Sequence, residues 1–89
     1  MRLKRHKTFI KDYKKARLAD SQFEKFIDYI NLLREGKLLP AESKDHAFIG
    51  EYQDCREFHL GGDMLIIYLI NLTGEIILLR LGTDAQLFK

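Results

Sequence analysis

The chain runs to 89 residues, 46% hydrophobic and 31% charged, with a formal net charge of +2 at pH 7. That length makes one domain, residues 1–89, with a single core near the lower end of comfortable size, and the composition excludes disorder. Cys55 is alone, which rules out an internal disulfide and fits a reducing cytosol; no apolar stretch approaches a membrane span, and no apolar run follows the basic N-terminus as in a signal peptide.

Arg2 to Lys7 alternates and reads as a short edge strand, whose charges discourage stray pairing. Thr8 reads as the cap of a helix running to about Ala19, with Phe9, Tyr13 and Ala16 toward the core. Ser21-Gln22-Phe23-Glu24 has the form of a capping box and opens a second helix. Phe23, Phe26, Ile27, Ile30 and Leu33 then recur at helical spacing and read as core, with Gly36 as the C-cap. Lys37 to Asp45 holds the only proline, Pro40, and reads as a loop. Three strands follow, Arg56 to Leu60, Met64 to Asn71 and Glu75 to Leu81. Turns at Leu60-Gly61-Gly62-Asp63 and Asn71-Leu72-Thr73-Gly74 join them. The expected fold class is α+β. An N-terminal strand and two helices pack on one face of a small, mainly antiparallel, four-stranded twisted sheet.

The small net charge hides an asymmetry. Residues 1–46 carry twelve Lys/Arg and seven Asp/Glu, a net +5; residues 47–89 carry three and six, a net −3. Eight basic groups stand in the first seventeen residues against Asp12 alone. Such a cluster favours a polyanion, nucleic acid or an acidic partner protein; the plainer alternative is a solvated helix face.

The last two-thirds of the chain carry a spaced polar set: Asp45-His46, Gly50, Arg56, His59, Asp63, Tyr68, Arg80, Gly82-Thr83 and Leu87-Phe88. A sheet this small has little reason to carry so many polar groups at strand ends unless they converge. Two histidines with an arginine and an aspartate suggest acid–base chemistry on a phosphate-containing substrate. Plainer readings stand beside this one. His46 can be a loop histidine with a satisfied hydrogen bond, and Asp63 can stabilise the Gly61-Gly62 turn. His59 and Asp63 make at most half a metal site, which no cysteine cluster or third nearby histidine completes, so no metal is expected. Arg80 ends an apolar strand and needs a partner, either phosphate or carboxylate. Tyr68 reads as core, Cys55 as a small buried filler, and His6 as facing solvent or RNA.

Five of these segments, in order and spacing, resemble the YafQ branch of the RelE superfamily of toxins from bacterial toxin–antitoxin pairs. They are Asp45-His46-Ala-Phe-Ile-Gly50, Arg56-Glu-Phe-His59, Asp63-Met-Leu-Ile-Ile-Tyr68, Leu78-Leu-Arg80-Leu-Gly82-Thr83 and Leu87-Phe88. Phe9-Ile-Lys-Asp12-Tyr13-Lys-Lys is similar more weakly. The resemblance implies a RelE-like fold and a ribosome-dependent mRNA endonuclease of the bacterial cytoplasm. Such a protein enters the A site of the 70S ribosome and cuts the message by attack of a ribose 2′-oxygen on the adjacent phosphorus. It implies a cognate antitoxin as partner, contact with DNA only through the antitoxin complex, no membrane, and no metal or cofactor. By position, His46, His59 and Asp63 match the family's acid–base and positioning residues, and Arg80 a phosphate-stabilising arginine. Phe88 matches an aromatic that stacks on a base. Arg56 either supports the same site or pairs with a carboxylate. Lys4, Lys11, Lys14 and Lys15 belong to the basic segment that would meet ribosomal RNA phosphates.

One position departs from the family. Histidine usually follows Gly-Ser/Thr there as the favoured general acid or base, whereas Gly82-Thr83 is followed by Asp84. An ordinary aspartate titrates near pH 4, so Asp84 acts as a base, or as an acid only if that value is strongly raised. Three functions remain open: an mRNA interferase, a module of the same fold that binds antitoxin without catalysis, and a metal-free ribonuclease acting on free RNA.

Overall fold

The computed structural model describes residues 1–47 and 54–88; Gly50, of the first motif, lies outside them. The element order is β1 (Arg2–Arg5), α1 (Lys7–Lys15), α2 (Asp20–Arg34), a 3-10 turn (Ala41–Ser43), β2 (His46–Ala47), β3 (Arg56–Gly61), β4 (Met64–Ile70), β5 (Glu75–Thr83) and α3 (Asp84–Leu87). The strands form one sheet in the order β1-β5-β4-β3-β2. β1 runs parallel to β5, and the other pairs are antiparallel. The α+β class and the helices on one face are as expected, but the sheet has five strands rather than four. The added strand, β2, is two residues long and pairs His46 with Glu57 and Ala47 with Arg56. So short a strand carries no alternation of its own, which is why the preceding residues read only as loop.

Alternation along β3, β4 and β5 divides the sheet into two apolar faces. Phe58, Leu60, Ile66, Tyr68, Ile76, Leu78 and Leu81 meet Phe9 of α1 and Tyr29, Ile30 and Leu33 of α2 in the main core. On the opposite face Leu65 and Ile67 pack with Cys55, flanked by Leu69, Leu79 and Leu87. Burial pushes the Cys55 thiol up, which keeps it protonated and unreactive as expected of a filler. The expected core of α2 needs amending. Ile30 and Leu33 are buried and Phe26 is partly so, but Phe23 and Ile27 are each 44% exposed. Tyr29 takes the inner position, edge-on to Phe58 at 5.7 Å between ring centroids.

Both helix starts also differ from expectation. α1 begins one residue before Thr8, because the His6 ring caps it by accepting from the Thr8 N–H. The Thr8 hydroxyl is used elsewhere, donating to the carbonyl of Leu79 at 2.9 Å. α1 ends at Lys15 and the chain turns extended at Ala16. α2 begins at Asp20 with Ala19 as N-cap, and the Gln22 side chain accepts from the Ala19 N–H at 2.9 Å. The same Gln22 amide donates to the carbonyl of Gly61, so the helix start is tied to the β3–β4 turn. Gly61 and Gly62 both take positive φ there, at 111° and 61°, which glycine tolerates without strain.

β1 pairs only with Glu75–Leu78, so the upper half of β5 would present a bare edge. α1 closes it with side chains. Thr8 takes the carbonyl of Leu79, and the Asp12 carboxylate accepts from the Leu81 N–H at 3.0 Å.

Candidate active site

β3 carries Glu57 and His59 two residues apart, so both project on the face away from α1 and α2. β2 adds His46 directly opposite Glu57. The two imidazoles lie nearly parallel, with centroids 6.3 Å apart and planes 22° from each other. Between them sits the Glu57 carboxylate, whose Oε1 is 2.8 Å from His46 Nε2 and 3.6 Å from His59 Nε2. Glu57 is only 9% exposed. The other nitrogen of His46, Nδ1, contacts the backbone carbonyl of Lys44.

The stretch before His46 is held from the other face. Ser43 is fully buried; its hydroxyl donates to the Pro40 carbonyl and accepts from the Asp45 N–H. Asp45 Oδ1 accepts from the Tyr68 hydroxyl at 2.7 Å and from Arg56 Nε at 3.2 Å. Burial, and then the bond to Asp45, push the Tyr68 hydroxyl far above its usual ionisation range. Tyr68 is thus core with its polar end satisfied. Arg56 stands beside Tyr68 on the helix-covered face and pairs with a carboxylate, away from His59.

Asp63 and Asp84 come together through the backbone, where the Asp84 N–H donates to the Asp63 carbonyl at 3.2 Å. Asp63 is exposed in the β3–β4 turn, and Asp84 is the exposed first residue of α3. That short helix is closed by a reciprocal box. Thr83 Oγ1 accepts from the Gln86 N–H, and Gln86 Oε1 accepts from the Thr83 N–H. A carboxylate in the first turn also suits the helix dipole, which gives Asp84 a structural reading of its own. α3 folds back so closely over Gly82 that an added Cβ would stand 3.0 Å from Gln86 Oε1 and 3.2 Å from Leu87. This return places Leu87 on the apolar patch under His59 and leaves Phe88 at the surface, 44% exposed.

Arg80 lies in one cross-strand row with His46, Glu57 and Ile67. Three strand spacings separate its backbone from that of His46, about 14 Å. Its guanidinium is drawn to α1, where Nε donates to Asp12 Oδ2 at 2.8 Å and Nη2 to Oδ1 at 3.4 Å. One of the two partners expected from sequence, a carboxylate, is supplied by Asp12. Lys15 lies beside this pair, lining a groove of about 160 Å³ with Asp12, Arg80, Gly82 and Leu87. Lys11, Lys14 and Lys15 are exposed on α1, and Lys4 on β1 pairs with Glu75 at 3.1 Å.

The structure therefore joins His46 to His59, joins Asp63 to Asp84, and holds Arg80 on the far flank of the same sheet. Arg56 faces the other way. Two residues stood inside the matched segments without a role assigned to them, Glu57 and Asp12. The signal for Glu57 was its spacing of two from His59 in a strand, which puts both on one face. Among the described residues no group of three or more His, Cys, Asp or Glu is placed to hold a metal ion, and no helix is long and apolar enough to cross a membrane.

The chain is matched by a family model over its whole length. Residues 1–89 match the YafQ family, described as a bacterial toxin of type II toxin–antitoxin system. The chain belongs to that family. Solved relatives agree. E. coli YafQ, determined in complex with DinJ, is 30% identical, with full coverage of both chains and a TM-score of 0.84. A copper-bound mutant toxin from Helicobacter pylori is 34% identical, with 98% of each chain covered and a TM-score of 0.83. A candidate toxin YafQ of Haemophilus influenzae is 39% identical over 44 residues, which span 49% of this chain and 43% of that protein.

Proposed function

We propose that this toxin is a ribosome-dependent mRNA endoribonuclease of the bacterial cytoplasm, neutralised by a cognate antitoxin and reaching DNA only within that complex. The observation that carries the reading is the parallel pair His46 and His59 across Glu57, on the sheet face to which α3 returns with Leu87. Two imidazoles on one face can remove a proton at one end of a phosphodiester and supply one at the other.

The reaction would run as an in-line transfer. A base takes the proton of the ribose 2′-OH, and O2′ forms a bond to the adjacent phosphorus. The P–O5′ bond breaks, its electron pair stays on O5′, and an acid protonates that oxygen. The products are a 2′,3′-cyclic phosphate and a 5′-hydroxyl. Arg80 stabilises charge on the phosphoryl oxygens, Asp63 and Asp84 orient the site, and Phe88 stacks on a base. Lys4, Lys11, Lys14 and Lys15 contact ribosomal RNA. Arg56 supports the site from behind through Asp45, the residue before His46.

A second reading keeps the fold and the antitoxin but not the chemistry. It is favoured by Asp84 at the position where the family pattern has histidine. Purified 70S ribosomes carrying a short message separate the two, with cleavage mapped by primer extension for the wild type, His59→Ala and Asp84→His. Cutting by the wild type that is lost in His59→Ala upholds the nuclease. Cutting only by Asp84→His means a scaffold disarmed at one position, and silence from both favours the binding module.

A further inference from the structure

Glu57 sits at a costly position. Among the described residues its Oε2 is the one buried side-chain polar atom without a hydrogen-bond partner. Its cross-strand neighbour is Ile67, and the face around it is apolar. A β-branched residue at 57 would suit that packing without leaving a carboxylate oxygen unpaired, which costs on the order of 1–3 kcal/mol or more. What the carboxylate gains is contact with two histidines.

The contacts of His46 fix where its hydrogens lie. A backbone carbonyl only accepts, so the Nδ1 that meets the Lys44 carbonyl carries a hydrogen. Nε2 then faces Glu57 Oε1 at 2.8 Å, which requires one more hydrogen, on the ring or on the carboxyl. In either case both ring nitrogens of His46 are engaged, and neither has a lone pair to offer a substrate. His59 differs, since its Nε2 is 3.6 Å from the same oxygen, beyond a direct hydrogen bond. Among the described residues the titratable groups in contact with Glu57 are these two rings, one on β2 and one on its own strand; β4 presents Leu65 and Ile67, and Cys55 lies on the same face.

We propose that Glu57 is a positioning residue that, together with the Lys44 carbonyl, locks His46 as the hydrogen-bearing ring and leaves His59 as the proton acceptor. Under the nuclease reading, on which its catalytic meaning rests, His59 takes the 2′-OH proton, and a donor other than the locked His46 protonates the leaving oxygen. The lock itself is independent of that reading.

The test is long-range ¹H–¹⁵N correlation of the imidazoles in the isolated chain at neutral pH, for the wild type, Glu57→Gln and Glu57→Ala. Ribosome-dependent cleavage is measured in parallel and includes Glu57→Asp. The wild type should show His46 with Nδ1 protonated, and both variants should move the His46 Nε2 resonance. The turnover number kcat should fall about tenfold to a hundredfold in Glu57→Gln with KM little changed, the size carried by groups that orient a working imidazole in metal sites, and Glu57→Asp should recover part of it. A wild-type His46 bearing its hydrogen on Nε2 alone, or His46 signals unmoved in both variants, overturns the lock. If the variants do not fold, the wild-type spectrum decides by itself. The expected spectra without any wild-type cleavage would uphold the lock and overturn the nuclease reading.

Discussion

Replacing Asp12 with alanine removes a carboxylate that closes a sheet edge and holds an arginine at once. Oδ2 accepts from Arg80 Nε at 2.8 Å and from the Leu81 N–H at 3.0 Å, and Oδ1 accepts from Arg80 Nη2 at 3.4 Å. Hydrogen bonds to charged groups contribute about 1.5–3 kcal/mol each, and breaking a fully buried ion pair costs about 3–5 kcal/mol. The side chains here keep 28% and 18% of their exposure, so water screens part of the interaction. Asp12→Ala should therefore lose about 2–3 kcal/mol of stability, between the exposed and buried limits. Asp12→Asn, which retains an acceptor for the Leu81 N–H, should lose about half as much. Urea unfolding followed by far-UV circular dichroism measures both, since the chain has no tryptophan. A double-mutant cycle with Arg80→Met should return a coupling of about 1–2 kcal/mol. A coupling below about 0.5 kcal/mol, the usual scatter for sites that do not interact, would refute the claim that Asp12 anchors Arg80.

Two further outcomes follow from other parts of the molecule. The Tyr68 hydroxyl is held protonated in the fold, so its contribution to stability is full below about pH 10, where a free tyrosine begins to ionise, and is lost as pH rises above that. Between pH 9 and pH 11 the wild type should lose about 1.4 kcal/mol more than Tyr68→Phe, measured by denaturant unfolding at each pH; equal losses would contradict the burial argument. Changing Lys11, Lys14 and Lys15 together to glutamine should leave stability nearly untouched. It should also flatten the dependence of log affinity for ribosomes on log salt by about two units, at roughly 0.7 per phosphate contact. An unchanged slope would remove α1 from the RNA-facing surface.

Much of the scaffold was legible because its signals are local. Glycines at 61, 62 and 74 punctuate apolar runs, and the hairpins of β3, β4 and β5 follow from them. Long-range partners were less visible. Thr8 looked like a cap because hydroxyls before helices usually are, but the open edge of β5 outcompeted the helix end for it. Phe23 and Ile27 fit the helical spacing yet lie on the flank that the sheet does not reach, while Tyr29 turns inward toward Phe58. In the site, His46, His59, Asp63 and Arg80 were named from sequence, whereas their supports were not. Spacing puts Glu57 on the strand face of His59, but its contact with His46, like that of Asp12 with Arg80, is tertiary and not visible in the sequence.

The side-chain closure of the β5 edge also sets a timetable for the molecule. β1 and α1 are made first, but the strand they complete lies 68 residues further on at Arg80. Pairing across so long a stretch has a high entropic cost and waits for β5. During synthesis the N-terminal third has a basic helix and no sheet to rest on, and Arg80 has no place until β5 is released. A fold built this way becomes whole only when β5 is free, so the edge that α1 closes is the last part of the sheet to be sealed.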